Sequence, residues 1–265
     1  MENDYDVLIV GGGLTGGCLV LALADSGLRI GLLEAISDEQ RHNSPAGDRA
    51  LALANATVRI LDDLSVWYTV ASQAAPIRSI HVSDRGHFGK VRLSADKENV
   101  DALGYVITAR ILEDAVAGAV AAIKGVERIC PARVVGLKSG HETVFVSLMR
   151  EGESLNVGAR LVVGADGGDS SVRRLLDIGQ KSRDYGQTAI VTLVKPEKNP
   201  AGTAFERFTS AGPLAFLPTH DGCCSVVWTL DHENAENAKA LPDAEFLEQL
   251  QKGFGYRGGR RVLVA

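Results

Sequence analysis

One six-residue segment constrains this chain more than any other: Gly11-Gly12-Gly13-Leu14-Thr15-Gly16, a G-x-G-x-x-G turn. It follows Asp6-Val7-Leu8-Ile9-Val10, an apolar run that reads as a buried parallel strand, and it opens a helical stretch from about Leu14 to Ser26. Gly27 stands where the helix C-cap is expected, residues 28–33 read as a second strand, and Glu34 ends it. The result is a βαβ unit, expected to cross over right-handed. Each glycine has its own task. Gly11 permits the tight strand-to-helix turn, Gly13 lets the backbone approach a pyrophosphate, and Gly16 lets helix and strand pack closely. A phosphate then sits at the positive end of the helix. Glu34 is placed to accept hydrogen bonds from a ribose hydroxyl, and an acid there disfavours a 2′-phosphate, so FAD or NAD is expected before NADP.

Beyond this unit the character of the chain changes twice. Residues 35–50 are polar and loop-like, residues 50–73 have helical periodicity, and from about Ile77 to Leu93 the pattern alternates as β structure. An amphipathic helix is predicted over 107–123. Val134–Leu137 and Thr143–Met149 read as a hairpin with Ser139-Gly140 in its turn, and Leu161–Val163 as a short buried strand. The stretch from Thr188 to Leu230 is β-rich again and 242–254 is helical. Two switches of this kind predict two interleaved domains: a Rossmann-type α/β domain from 1–73 and 105–183, and a β-rich domain from 74–104 and 184–265.

Composition removes several function classes. A formal net charge of -5 and a pI near 5.7 give no basic surface for displacing counterions from a duplex, so nucleic acid is not an expected partner. Cys18, Cys130, Cys223 and Cys224 match no zinc or redox spacing, and the six histidines match no metal spacing, so no metal site is expected. Glu2, Asp4 and Asp6 are the reverse of a basic secretory n-region, and no apolar run approaches the length of a membrane span; a cytoplasmic setting is expected. Arg257, Arg260 and Arg261 read as a solvated strand edge rather than a lipid-binding patch.

A second constellation runs Gly164-Ala165-Asp166-Gly167-Gly168-Asp169-Ser170-Ser171-Val172-Arg173-Arg174. Alone it reads as a polar strand-to-helix turn with Ser170 as N-cap. Taken with the first fingerprint, its G-A-D-G-x-x-S-x-V-R pattern resembles the second fingerprint of the single-component (class A) flavoprotein aromatic hydroxylases. That motif contributes to FAD and NAD(P)H binding in the family, and Asp166, Gly167, Ser170 and Arg173 fall on its positions. Asp48-Arg49-Ala50 resembles the family's arginine segment near the flavin, and Arg110 matches a position that contacts the cofactor. Leu14, Thr15, Ala35 and Val134 complete the cofactor-side residues that the resemblance implies.

The resemblance narrows along the chain. Residues 80–87, Ala204-Phe205-Glu206-Arg207-Phe208-Thr209, Gly212-Pro213-Leu214-Ala215-Phe216-Leu217-Pro218 and Cys224-Ser225-Val226-Val227-Trp228 look like the bacterial ubiquinone-biosynthesis hydroxylases. It implies a para-hydroxybenzoate-hydroxylase-like fold, in which a Rossmann-type FAD domain interleaves with a β-rich substrate domain. It implies a monooxygenase whose chemistry belongs to the cofactor: NAD(P)H reduces FAD, and a flavin C4a-hydroperoxide formed with dioxygen hydroxylates a prenylated phenol. No catalytic side chain is then required. Other ubiquinone-biosynthesis proteins are conceivable partners, and a prenyl substrate implies peripheral contact with the inner membrane at most. Phe205, Phe216, Pro218 and Trp228 are the candidate pocket residues, although aromatics at alternating positions also describe plain core.

The resemblance covers roughly the first two-thirds of a family member. A third Gly-Asp motif, which closes over the FAD ribose and pyrophosphate in the family, is not found before Ala265, so an incomplete flavin pocket is expected. Two rival readings stand beside the hydroxylase: an NAD-dependent dehydrogenase, against which the second fingerprint and the β-rich segments argue, and a remnant that folds without catalysing.

Overall fold

The structure, a computed structural model, describes residues 3–255 and 261–263. Glu2, Arg257 and Arg260 therefore lie outside the described residues, and Arg261 is described only as backbone. The chain divides into two compact units, one from 1–47, 61–70 and 110–182, the other from 48–60, 71–109 and 183–265.

The first unit is built on a six-stranded sheet ordered Val126–Ile129, Ile30–Leu33, Tyr5–Val10, Glu153–Gly164, Val144–Arg150, Arg133–Ser139. The first four strands run parallel and the last three form an antiparallel meander. Tyr5, Val7, Leu8, Ile9 and Val10 are all buried, as a continuously apolar parallel strand requires. The helices Leu14–Leu23 and Ala109–Ala122 approach so closely that a β-carbon on Gly17 would lie 2.4 Å from Val116. A glycine inside a helix costs about 1 kcal/mol against alanine, and here close packing accounts for it.

Two expectations change in this region. The short strand at Leu161–Val163 is the end of a twelve-residue strand, Glu153–Gly164. Its first half pairs with Val144–Arg150, and the apolar end is not buried as expected: Leu161 is exposed and Val162 and Val163 are half-buried, while Gly158 and Ala159 are the buried residues. A strand at Val126–Ile129, with only its two ends apolar, joins the parallel edge.

The second unit holds a seven-stranded sheet ordered Arg261–Leu263, Gln187–Pro196, Cys224–Asp231, Gly212–Pro218, Thr203–Thr209, Ser79–Asp84, Lys90–Ser94. All of its pairings are antiparallel except Thr203–Thr209 with Ser79–Asp84. The helices His232–Lys239 and Asp243–Phe254 cover one face, burying Leu250 and Phe254 with Leu214, Phe216, Val226 and Trp228. A separate three-stranded antiparallel sheet pairs Gly104–Thr108 with both Ala50–Ala54 and Ala75–Ile77. It packs Ile77 and Val106 against Ala204, Ile80 and Leu217 on the other face.

This small sheet corrects the helical reading of 50–73. Ala50–Ala54 is a strand, and only Asn55–Asp63 and Trp67–Val70 are α-helical. Ala-Leu-Ala-Leu-Ala suits either structure locally, and the partner strand at 104–108 decides between them. The second compact unit includes 48–60, 71–73 and 105–109 along with the β-rich segments.

Candidate functional site

In the first unit the glycine turn is built almost entirely of backbone. Gly11 has φ +108°, and a β-carbon there would lie 2.4 Å from the Ala165 carbonyl oxygen. The first turn is thus pressed against the second one, Gly164–Gly168. A β-carbon on Gly16 would fall 1.8 Å from the Gly11 carbonyl oxygen, which no side chain can satisfy. Gly13 differs: a β-carbon there meets nothing within 4 Å. Gly13 is also the N-cap of the Leu14–Leu23 helix and offers no side-chain cap, and no acidic residue sits in the first turn. The first N–H groups of a helix have no intrahelical acceptors. Here they sit beside exposed Gly13 and Thr15, with helix dipole and backbone donors aimed at open space. That arrangement fits a pyrophosphate.

Glu34 is half-buried and does more than wait for a ribose. Its Oε2 accepts from the Gly12 amide at 2.7 Å and its Oε1 from the Ile36 amide at 2.8 Å. The backbone beneath it is held too, with the Glu34 amide donating to Ile129 O and the Ala132 amide to Glu34 O. Ala35 is half-buried beside it. The carboxylate therefore ties the glycine turn to the second strand while keeping lone pairs for a hydroxyl donor. Val134 is a buried core side chain packed with Leu148 and Val172, so only its backbone could face a ligand.

The second constellation is a self-capped turn. Asp166 Oδ1 accepts from the Ser170 hydroxyl at 2.5 Å, and Oδ2 accepts from the amides of Ser171 at 2.6 Å and Val172 at 3.2 Å. Ser170 in turn caps Ser171–Leu175 by accepting from the Arg173 amide at 3.0 Å. Burial pushes the Asp166 carboxyl up, and these hydrogen bonds outweigh it, leaving the group below the ordinary carboxylate range. The Arg173 guanidinium donates to the Gly168 carbonyl at 2.6 Å, and exposed Gly167 holds φ +83° with open space beyond. Both oxygens of Asp166 shape the turn, and Gly167 and Gly168 are its open part.

Arg110 crosses the Pro45–Asp48 turn, donating to the Ser44 carbonyl at 2.9 Å. A β-carbon on Gly47 would lie 2.9 Å from its guanidinium carbon, so glycine is required beneath it. Arg49 belongs to the second unit, where its carbonyl accepts from the Ala109 amide.

Residues 4–260 match the family described as the FAD binding domain. The chain belongs to that family. FAD is accordingly the cofactor of this fold. The chain is 35% identical to the ubiquinone hydroxylase UbiL of Rhodospirillum rubrum, over 96% of this chain and 58% of that protein. It is 29% identical to the 3-demethoxyubiquinol 3-hydroxylase of Escherichia coli, over 97% of this chain and 66% of that protein. It thus spans less than two-thirds of these relatives. In structure it resembles Pseudomonas aeruginosa PqsL, solved in complex with 2-aminobenzoylacetate, at a TM-score of 0.79 and 24% identity over 98% of this chain and 73% of that one. The likeness shows the same fold, the interleaved FAD-hydroxylase architecture that the sequence implies.

The candidate pocket residues fare differently from the cofactor residues. Phe216 is 1% exposed with its ring 4.0 Å from that of Phe254, and Trp228 is 7% exposed with its ring 5.6 Å from that of Phe246. Phe205 meets Phe254 edge-on at 5.5 Å. All three lie on the helix-covered face: Phe216 and Trp228 belong to its core, as the plain-core reading has it, and half-buried Phe205 packs against that core. Strand alternation defines two faces but does not say which one a later helix covers. Pro218 lines a cleft of about 160 Å³ with Pro76, Arg78, Asn199 and His220. His81 is buried on the helix-covered face, where its Nδ1 accepts from Arg92 Nε at 3.2 Å, while exposed His87 pairs with Asp84 at 3.0 Å. Among the described residues, no group of three or more His, Cys, Asp or Glu could hold a metal ion, and no helix is long and apolar enough to cross a membrane.

Proposed function

We propose that this FAD-binding chain forms the nucleotide- and ring-binding part of an FAD- and NAD(P)H-dependent monooxygenase that hydroxylates a prenylated phenol in ubiquinone biosynthesis. The observation that carries the reading is the backbone cradle: an uncapped helix N-terminus at Gly13, open space above it, and the second glycine turn pressed against Gly11. Its relatives, named as ubiquinone hydroxylases, supply the substrate class.

Bound FAD would supply the redox chemistry, taking electrons from NAD(P)H and delivering them to dioxygen. This chain's residues do the rest. The amides at Gly13, Leu14, Thr15 and Gly16 receive the pyrophosphate, and Glu34 with Ala35 receives the adenine-side ribose. Gly167, within the turn that Asp166, Ser170 and Arg173 hold, lets the backbone approach the cofactor, and Arg110, Arg49 and the Val134 backbone complete the cofactor side. The sheet of the second unit would hold the phenol ring. A polyprenylated methoxyphenol is the substrate proposed, drawn from the inner membrane by peripheral contact.

Incubating the purified chain with FAD, NAD(P)H and a short-chain prenylated methoxyphenol under ¹⁸O₂ tests this. Incorporation of one labelled oxygen into the ring is expected. Retained yellow flavin absorbance after gel filtration with no substrate-stimulated NAD(P)H oxidation reduces the reading to cofactor binding alone, and loss of flavin on the column removes it.

A further inference from the structure

The seven-stranded sheet has a second face, and its chemistry is distinctive. Cross-strand register places Val91, Val82, Glu206, Ala215, Val227 and Val191 in one continuous row over six strands. Five of the six are aliphatic. Val91 is 57% exposed and Val191 51%, so the ends of the row meet solvent; Val82, Ala215 and Val227 are half-buried. In the next row the ring of Phe208, 48% exposed, stands opposite Pro213. Alternation turns Glu206 away from Phe205 and Arg207 and toward this row, with Val82 and Ala215 as its immediate cross-strand neighbours.

Within the six-residue row Glu206 is the one charged side chain; in the next row Asp84 stands opposite Phe208 and pairs with His87. Among the described residues no hydrogen bond or ion pair reaches its carboxylate. Burial alone pushes the carboxyl above the ordinary glutamate range, with no cation nearby to draw it back. A desolvated carboxylate without a partner is costly to the folded protein, and such groups cluster where a ligand supplies the missing donor.

Resting on the hydroxylase reading above, we propose that Glu206 anchors the substrate by accepting a hydrogen bond from its ring hydroxyl. The ring and its alkyl chain then lie along the Val82, Ala215, Val227 and Phe208 surface. The chemical class follows from the strip. An apolar ring with one O–H donor satisfies the carboxylate, an O-alkylated ring leaves it bare, and a ring bearing its own carboxylate is repelled. The hydrogen bond also lends the phenol oxygen anionic character, which enriches the ring positions ortho and para to it.

The test uses the full chain in saturating FAD and two probes: 2-methoxy-6-(3-methylbut-2-enyl)phenol and its O-methyl ether. Their dissociation constants are measured by calorimetry for the wild type, Glu206→Gln and Glu206→Leu. Hydrogen bonds to charged groups set the scale, so the wild type is expected to favour the phenol by about tenfold or more. The preference shrinks in Glu206→Gln, whose amide oxygen still accepts, and vanishes in Glu206→Leu. Equal affinity of the wild type for both probes overturns the assignment without needing any variant. So does an unchanged preference in Glu206→Gln, whose near-identical shape and retained circular dichroism exclude misfolding as the cause. Binding of neither probe to the wild type overturns the hydroxylase reading itself, a different outcome from the two above.

Discussion

The nucleotide turn of the first unit and the broad sheet of the second recognise ligands by opposite means. The turn works with backbone: Gly11 and Gly16 are glycines because another chain segment occupies the space where a β-carbon would go, and Gly13 because that space is left open. The sheet works with side chains, and the same strands serve two purposes. Phe216 and Trp228 on one face make the core, while Glu206 stands between Val82, Ala215 and Val227 in an aliphatic row on the other. Where backbone binds, residue type reports function directly. Where side chains bind, function depends on which face a distant element covers.

The predictions bear on that contrast. Phe216→Ala strikes the core face and carries the largest effect, a loss of about 3–5 kcal/mol of stability in urea unfolding, as for other buried phenylalanines. A loss below about 1 kcal/mol, the scale of an exposed site, would place Phe216 in a pocket after all. Next, two glycines separate packing from binding. Gly16→Ala forces a β-carbon into the Gly11 carbonyl and is expected to cost about 1–3 kcal/mol or more, with or without FAD. Gly13→Ala should leave the unliganded chain within about 0.5 kcal/mol of wild type, yet weaken FAD in a fluorescence titration. An equal loss of stability in both variants would break the distinction between them.

The smallest effect concerns Glu206. Because burial raises its folded-state pKa, the folded chain binds that proton more tightly than the unfolded one, and stability from this group falls as pH rises through the raised value. Glu206→Gln is therefore expected to melt higher than wild type at neutral pH, with the gain fading at acid pH, where Glu206 is itself protonated. A melting difference independent of pH would show that the carboxylate is not desolvated.

The geometry of the two glycine turns was legible in sequence. The three glycines, Glu34 and the Gly164–Gly168 turn each declare a backbone requirement in residue type, and local spacing suffices to read it. Less visible was how much of that apparatus is self-supporting. Glu34 spends both oxygens on the Gly12 and Ile36 amides, and Asp166 spends both of its own on the turn and helix it precedes. Gly17 gave a usable signal, a glycine inside a helix with no ligand to justify it; its reason is Val116, nearly a hundred residues on. The three-stranded sheet was missed because Ala50–Ala54 has no periodicity that distinguishes strand from helix until Gly104–Thr108 pairs with it.

The sequence by itself determined the βαβ opening and its glycine turn, and hence a dinucleotide-binding fold, since these depend on backbone sterics within a few residues; the flavin followed from the family resemblance. Only the tertiary structure decided which unit owns 48–60, that Phe216 and Trp228 are core with Phe205 packed against it, and that Glu206 stands alone in an aliphatic row. The physical reason is the period of a strand. Two residues per repeat create two equivalent faces: the helices at 232–254 make one face interior, and the small sheet packs on the other against Ala204, Ile80 and Leu217, leaving the Glu206 row beside it.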